Sequence, residues 1–154
     1  MTISKKDSLF VVNVVIPLVC GLFIYLTKIE SNFLSVSLSG IRSLLPVIRY
    51  PVLVNNFAAD FLWSYSLFFC LRLVLGDDMK GKYSLKVISL TAVVAVVFES
   101  MQMLKHFPGT FDPLDIVVEL IAVVSAFLMS VFIERMFRYH EEKKHSWSCE
   151  CSSR

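Results

Sequence analysis

The residues of this sequence best placed to do chemistry are the carboxylates Asp60, Glu99, Asp112, Asp115 and Glu119, with Gln102 beside them. Glu99 and Gln102 stand three apart in Phe98-Glu99-Ser100-Met101-Gln102, and Asp115 and Glu119 stand four apart, so on helices each pair shares a face. Acidic groups gathered with few bases can bind a cation or a polar headgroup. In an enzyme they can act as general base or metal ligand. A plainer structural role competes for some of them. Asp112-Pro113 reads as a helix N-cap with proline at the first helical position, and Asp115 at the third can reach back to the cap and favour the positive helix end. Capping is the better account of Asp112 and Asp115. Asp60 follows Asn55-Asn56 and reads equally as a site wall or as the mark of a helix leaving the interface. Glu119 is harder to explain, since it lies about 6 Å beyond the cap. An acid at such depth in an apolar helix is costly unless paired, protonated or wetted. The only base of the last two apolar segments near it is Lys105, in the loop between them. The bland alternative makes Glu99 and Glu119 protonated groups that hold helices together through Ser100 and Gln102; we prefer the site.

The elements that must position these groups belong to a membrane. The chain has 154 residues, of which 56% are hydrophobic and 18% charged, and 13 are Phe. Typical soluble proteins carry roughly 25% charged residues. A mean hydropathy of +0.67 argues against a water-soluble globule. The net charge of +2 is too small to argue for a nucleic-acid partner. Residues 8–27 are uncharged and long enough to cross roughly 30 Å of hydrocarbon, so the first span covers about 9–27, with Pro17 tolerated inside it. It lacks the small-x-small pattern of a cleavage site and the small residue expected before a lipoprotein cysteine at Cys20, so it is expected to stay uncleaved.

Three further apolar runs, 61–71, 87–98 and 120–133, are shorter, and their charged ends promote them to spans. Asp60 and Arg72, Lys86 and Glu99, Glu119 and Arg135 each place an acid at one end and a base at the other. Basic side chains can snorkel from such positions, giving spans near 57–75, 83–103 and 114–134. With the N-terminus inside, 11 of the 15 Lys and Arg fall on inner segments. The expected fold is therefore all-α, with four transmembrane helices and both termini cytoplasmic. Asp60, Glu99 and Glu119 then face outward together.

Residues 76–82 form a short polar inner turn and 104–111 a short outer loop, which makes consecutive spans antiparallel neighbours. In 28–56, Ile41, Leu44, Leu45 and Ile48 share one helical face, predicting a short interfacial helix that Pro46 disrupts and Pro51 ends. Residues 1–138 form the membrane domain and 139–154 a solvated polar tail.

Phe98-Glu99-x-x-Gln102, a loop carrying Pro108-Gly109, then Thr110-Phe111-Asp112-Pro113-x-Asp115-Ile116 resembles the signature of VanZ-like membrane proteins. In that family a Glu-x-x-Gln ends one helix, and an Asp followed by a polar residue one turn on opens the next. The match covers the last three spans and, more loosely, the chain to about residue 138. This sequence departs from the pattern in having Thr110 where the family often has Arg, Glu119 where it often has Asn, and Ala122 and Ala126 where it often has Gly. The two alanines keep the spacing that lets helices approach closely. The missing Arg leaves the acids less neutralised. The resemblance implies a multi-pass protein of a bacterial cytoplasmic membrane, with one member type associated with resistance to the glycopeptide teicoplanin.

Other motifs are mostly negative. Cys149 and Cys151 with His140 and His145 lack the usual zinc spacing and read as part of the tail. Cys20 and Cys70 read as buried small hydrophobes, and Trp63 as an interfacial anchor. No phosphate-cradling glycine loop, no Gly-x-Ser-x-Gly and no His-Glu-x-x-His occurs, and the sequence names no cofactor. The expected partners are the bilayer and a cation or polar ligand at an acidic pocket of Glu99, Gln102, Glu119, Asp115 and Asp60. A small membrane enzyme acting on a lipid or polyprenyl substrate, or a structural assembly subunit, is the alternative.

Overall fold

A computed structural model describes residues 5–29, 37–75, 82–101 and 112–152. Five helices follow one another among the described residues: α1 (Lys5–Thr27), α2 (Ser39–Arg42), α3 (Val52–Leu75), α4 (Lys82–Met101) and α5 (Pro113–Ser152). Among the described residues there is no strand, and the one isolated bridge joins Lys28 to Ile48. Three helices among the described residues are long and apolar enough to cross a membrane: α1 with 23 residues, α3 with 24, and the 27-residue stretch Pro113–Tyr139 of α5. They mark a helical membrane protein. The remaining long helix, α4, carries Lys82, Lys86 and Glu99 within its 20 residues.

α3 is the hub, packing on α1, α4 and α5. Its contacts with α1 run antiparallel: Phe69 lies 5.8 Å from Phe10, Tyr65 meets Asn13, and the buried Gly21 approaches Leu62 and Ala59. A Cβ built on Gly21 would stand 3.5 Å from that of Leu62, an ordinary van der Waals contact, so the helices meet closely here without requiring a glycine. The core gathers Phe10, Phe68, Phe69, Val87, Val123, Ala126 and Ile133 from all four long helices. On α5, Ala122, Ala126 and Ser130 recur every fourth position and are fully buried, as expected for a face of small residues that admits a neighbouring helix.

Polar groups inside the bundle are met locally. Pro17 supplies no N–H to the carbonyl four residues back. There, Asn13 donates to the Leu9 carbonyl at 2.8 Å and accepts from the Tyr65 hydroxyl at 2.8 Å. Thr91 and Ser130 donate to carbonyls of their own helices. Ser66 is one exception: its buried hydroxyl has no hydrogen-bond partner. An orphaned buried hydroxyl costs on the order of 1–3 kcal/mol. Ser66→Ala is therefore expected to leave stability unchanged or to raise it by up to about 1 kcal/mol in detergent unfolding titrations. A clear loss would show that the hydroxyl is bonded after all.

Several expectations need correction. The interfacial helix is one turn, Ser39–Arg42, and it stops before Leu44 and Leu45. Pro46 lacks an N–H and disfavours helical backbone at the residue before it. Ile48 thus leaves the expected helical face, and its N–H bonds the Thr27 carbonyl at 2.8 Å. Through the polar tail, α5 continues unbroken to Ser152. No Gly or Pro occurs after Pro113 to end it. Cys20 and Cys70 are exposed on the flanks of the bundle rather than buried. Trp63 is exposed on α3, as an anchor should be.

Candidate functional site

Alternating helix direction brings the C-terminal ends of α1 and α4 to the same level as the N-terminal ends of α3 and α5. Asp60, Glu99, Asp112, Asp115 and Glu119 all lie at this level. Asp60, Glu99 and Asp115 are close enough to act electrostatically on one another and on Glu119, so the helices bring the predicted acids together. Gln102 lies outside the described residues, as does the rest of the loop 102–111.

Local structure explains how each acid is held. Asp112 caps α5: its Oδ1 accepts the Leu114 N–H at 2.9 Å, and its carbonyl accepts the Asp115 N–H at 3.0 Å. In a self-contained capping box the third helical residue would accept the cap N–H. Here Glu99 of α4 takes that place, its Oε1 lying 3.3 Å from the Asp112 N. Glu99 is only 3% exposed, so a buried carboxylate from one helix receives a backbone donor at the start of the next. The expected reach-back role of Asp115 is thereby displaced. Asp115 instead stands in the field of Glu99 and Asp112. Ser100, considered as a partner for the acids, is exposed and donates to the Val96 carbonyl at 2.6 Å.

Glu119 sits one turn deeper. Ser64 of α3 lies close enough to act on its carboxylate. Ser64 is one helical turn below Asp60, so α3 presents Asp60 and Ser64 on the face opposite Asp115 and Glu119. One oxygen of Glu119, Oε2, is buried and has no hydrogen-bond partner.

Three participants escaped sequence reasoning. Ser64 was visible in principle, four residues beyond Asp60. Tyr25 and Lys28 close the site from α1: Tyr25 feels Asp60, Asp115 and Glu99, and the Lys28 charge acts on Asp60. Lys28 Nζ lies 4.7 Å from the Tyr25 ring centroid, a cation–π distance. Among the described residues the base that acts on Asp60 is Lys28; Lys105 falls outside them. Arg42 does not add to it, because its Nη2 lies 3.2 Å from the carbonyls of Lys28 and Ile29, just past the end of α1. Tyr50 secures the same corner. Thr27 gives its one proton to the Phe23 carbonyl at 2.7 Å and so accepts from the Tyr50 hydroxyl at 2.8 Å.

Chemically, this is a concentration of negative charge flanked, among the described residues, by the Lys28 ammonium. Among the described residues no three His, Cys, Asp or Glu side chains converge as a metal-ion site would require. The arrangement can attract a protonated amine or accept hydrogen bonds from a polar headgroup. No family model, no curated protein and no solved structure matches the chain.

Proposed function

We propose that the chain is a VanZ-like membrane protein of the bacterial cytoplasmic membrane. In this reading it has four spans (α1, α3, α4 and the first part of α5), cytoplasmic termini and an outward acidic site. The site receives an amine-bearing or hydrogen-bond-donating headgroup of the envelope and so alters susceptibility to glycopeptides such as teicoplanin. The observation that carries this reading is Glu119. One of its oxygens is buried and unpartnered, and three further carboxylates contributed by three helices surround it electrostatically. Supporting the topology, a 20-residue α4 is about 30 Å long, enough to span, and most Lys and Arg fall away from the acidic end. The motif carried by Glu99, Asp112, Pro113 and Asp115 supports the family.

A second reading is favoured by the bond from the Asp112 N–H to Glu99: the acids serve only to join α3, α4 and α5. The two separate in one experiment. Glu119→Gln with Asp60→Asn preserves size and hydrogen bonding while removing charge. A headgroup receptor is expected to fold normally, lose preference for phosphatidylethanolamine over phosphatidylglycerol in nanodisc binding, and lose its effect on teicoplanin susceptibility. A folded double variant with both properties intact sinks the receptor reading and leaves the joining role. Reporter fusions within 76–81 should read cytoplasmic and within 104–110 external.

A further inference from the structure

Two shallow cavities, about 250 and 340 Å³, lie along the same side of α3 and share Phe61 and Leu62. Together they form one trough from Leu53 to Tyr65, twelve residues or about 18 Å of helix. Ile16 and Pro17 of α1 form one wall, and Val118 of α5 stands on the other. The trough is closed toward the far end of the bundle, where Arg72 of α3 meets both Phe10 of α1 and Glu134 of α5. Its apolar part ends at the hydrogen-bonded Asn13–Tyr65 pair. It opens at the start of α3.

The mouth has the opposite electrical character to the acidic site. Leu53 and Val54, which line it, belong to the first turn of α3, whose earliest N–H groups have no acceptor within the helix. The first satisfied donor is Asn55, bonded to the Pro51 carbonyl at 2.9 Å. These donors and the positive end of the helix dipole favour an anion. Arg49, exposed three residues before the helix, adds a full positive charge. An electropositive mouth above an apolar trough fits an amphiphile with an anionic head.

We propose that this trough seats one chain of a phospholipid from the leaflet at the acidic end, with its phosphate at the start of α3. The length agrees with one leaflet, about half of the roughly 30 Å hydrocarbon thickness. A transmembrane helix of another protein does not fit. Helices that pack closely in membranes do so over rows of small residues, whereas Ala58 is the lone small residue here, among Phe57, Phe61 and Leu62. The proposal does not depend on the acidic site, and phosphate and carboxylates occupy different faces of α3.

The test uses the full chain in detergent and phosphatidylglycerol with brominated chains, which quench tryptophan on contact. Trp63, 53% exposed on α3 and outside the trough, reports general lipid contact. Both signals are read on a Trp147→Phe background, which removes the second tryptophan of the chain; there a Phe61→Trp probe combined with Trp63→Phe reports the trough. The expected result is quenching of the trough probe that saturates at stoichiometric lipid, while native Trp63 is quenched only gradually as lipid accumulates. Ala58→Phe, or Val118→Phe if the first variant fails to fold, should weaken the saturable phase about tenfold or more. Arg49→Ala should weaken it less. Inorganic phosphate should not compete, because the chain supplies the seat. Equal, non-saturating quenching at both positions overturns the proposal, as does a saturable phase indifferent to both filling variants.

Discussion

Arg72→Ala is expected to be the most damaging single substitution in the bundle, lowering stability by about 3–5 kcal/mol or abolishing recovery of monodisperse protein. Arg72 is 1% exposed and pairs with Glu134, itself 14% exposed, joining α3 to α5. Its guanidinium carbon also lies 4.3 Å from the centroid of Phe10, tying α1 to the same point. Removing the base strands a carboxylate within the bundle, and inside a membrane a stranded charge has little water to turn to. Replacing both partners is a different matter, because the desolvation of two charges disappears along with their attraction. Arg72→Met with Glu134→Leu is therefore expected to recover most of the loss. Thermal unfolding in detergent of the wild type, both single variants and the double variant measures this directly. A double variant as unstable as Arg72→Ala would show that packing by the arginine, rather than charge pairing, governs the junction.

That ion pair also shows what the sequence conveys and what it conceals. An uncharged run of spanning length located α1, and apolar runs flanked by opposite charges located the other three long helices, because desolvation penalises charges within a span and tolerates them at its ends. The same reasoning aligned Asp60, Glu99 and Glu119, since helices that alternate in direction return to one level. Arg72 was read only as an end marker, although depth arithmetic could have found its partner. It lies twelve residues beyond Asp60, and Glu134 lies fifteen beyond Glu119, about 18 and 22 Å down parallel helices. Which face of each span turns inward was not legible. α1 and α3 are apolar nearly all round, so no amphipathic stripe separates core from lipid, and Cys20 and Cys70 were misplaced for that reason. In 37–48 the apolar spacing suggested a longer helix than Pro46 permits. Tyr25 and Lys28 joined the site through the crossing of α1 over α3, a tertiary relation that no local pattern encodes.

Glu99 should separate architecture from function. It is buried, and it accepts the N–H of Asp112 at the very start of α5. Glu99→Ala removes that acceptor and leaves one of the helix's initial donors unsatisfied, so a loss of about 1.5–3 kcal/mol is expected. Amide exchange should quicken at the first turn of α5 before it does so in the core, because the lost bond lies at that end. Glu99→Gln keeps an oxygen of similar reach and removes the charge. Its stability is expected to fall by less than about 1 kcal/mol, and the first turn of α5 should stay protected. If the acidic site acts through its charge, this folded variant still weakens recognition of an amine headgroup. If Gln restores recognition together with stability, the Glu99 charge is not used at the site, and its part there is to fasten α4 to α5 so that Asp60 and Glu119 stay opposed.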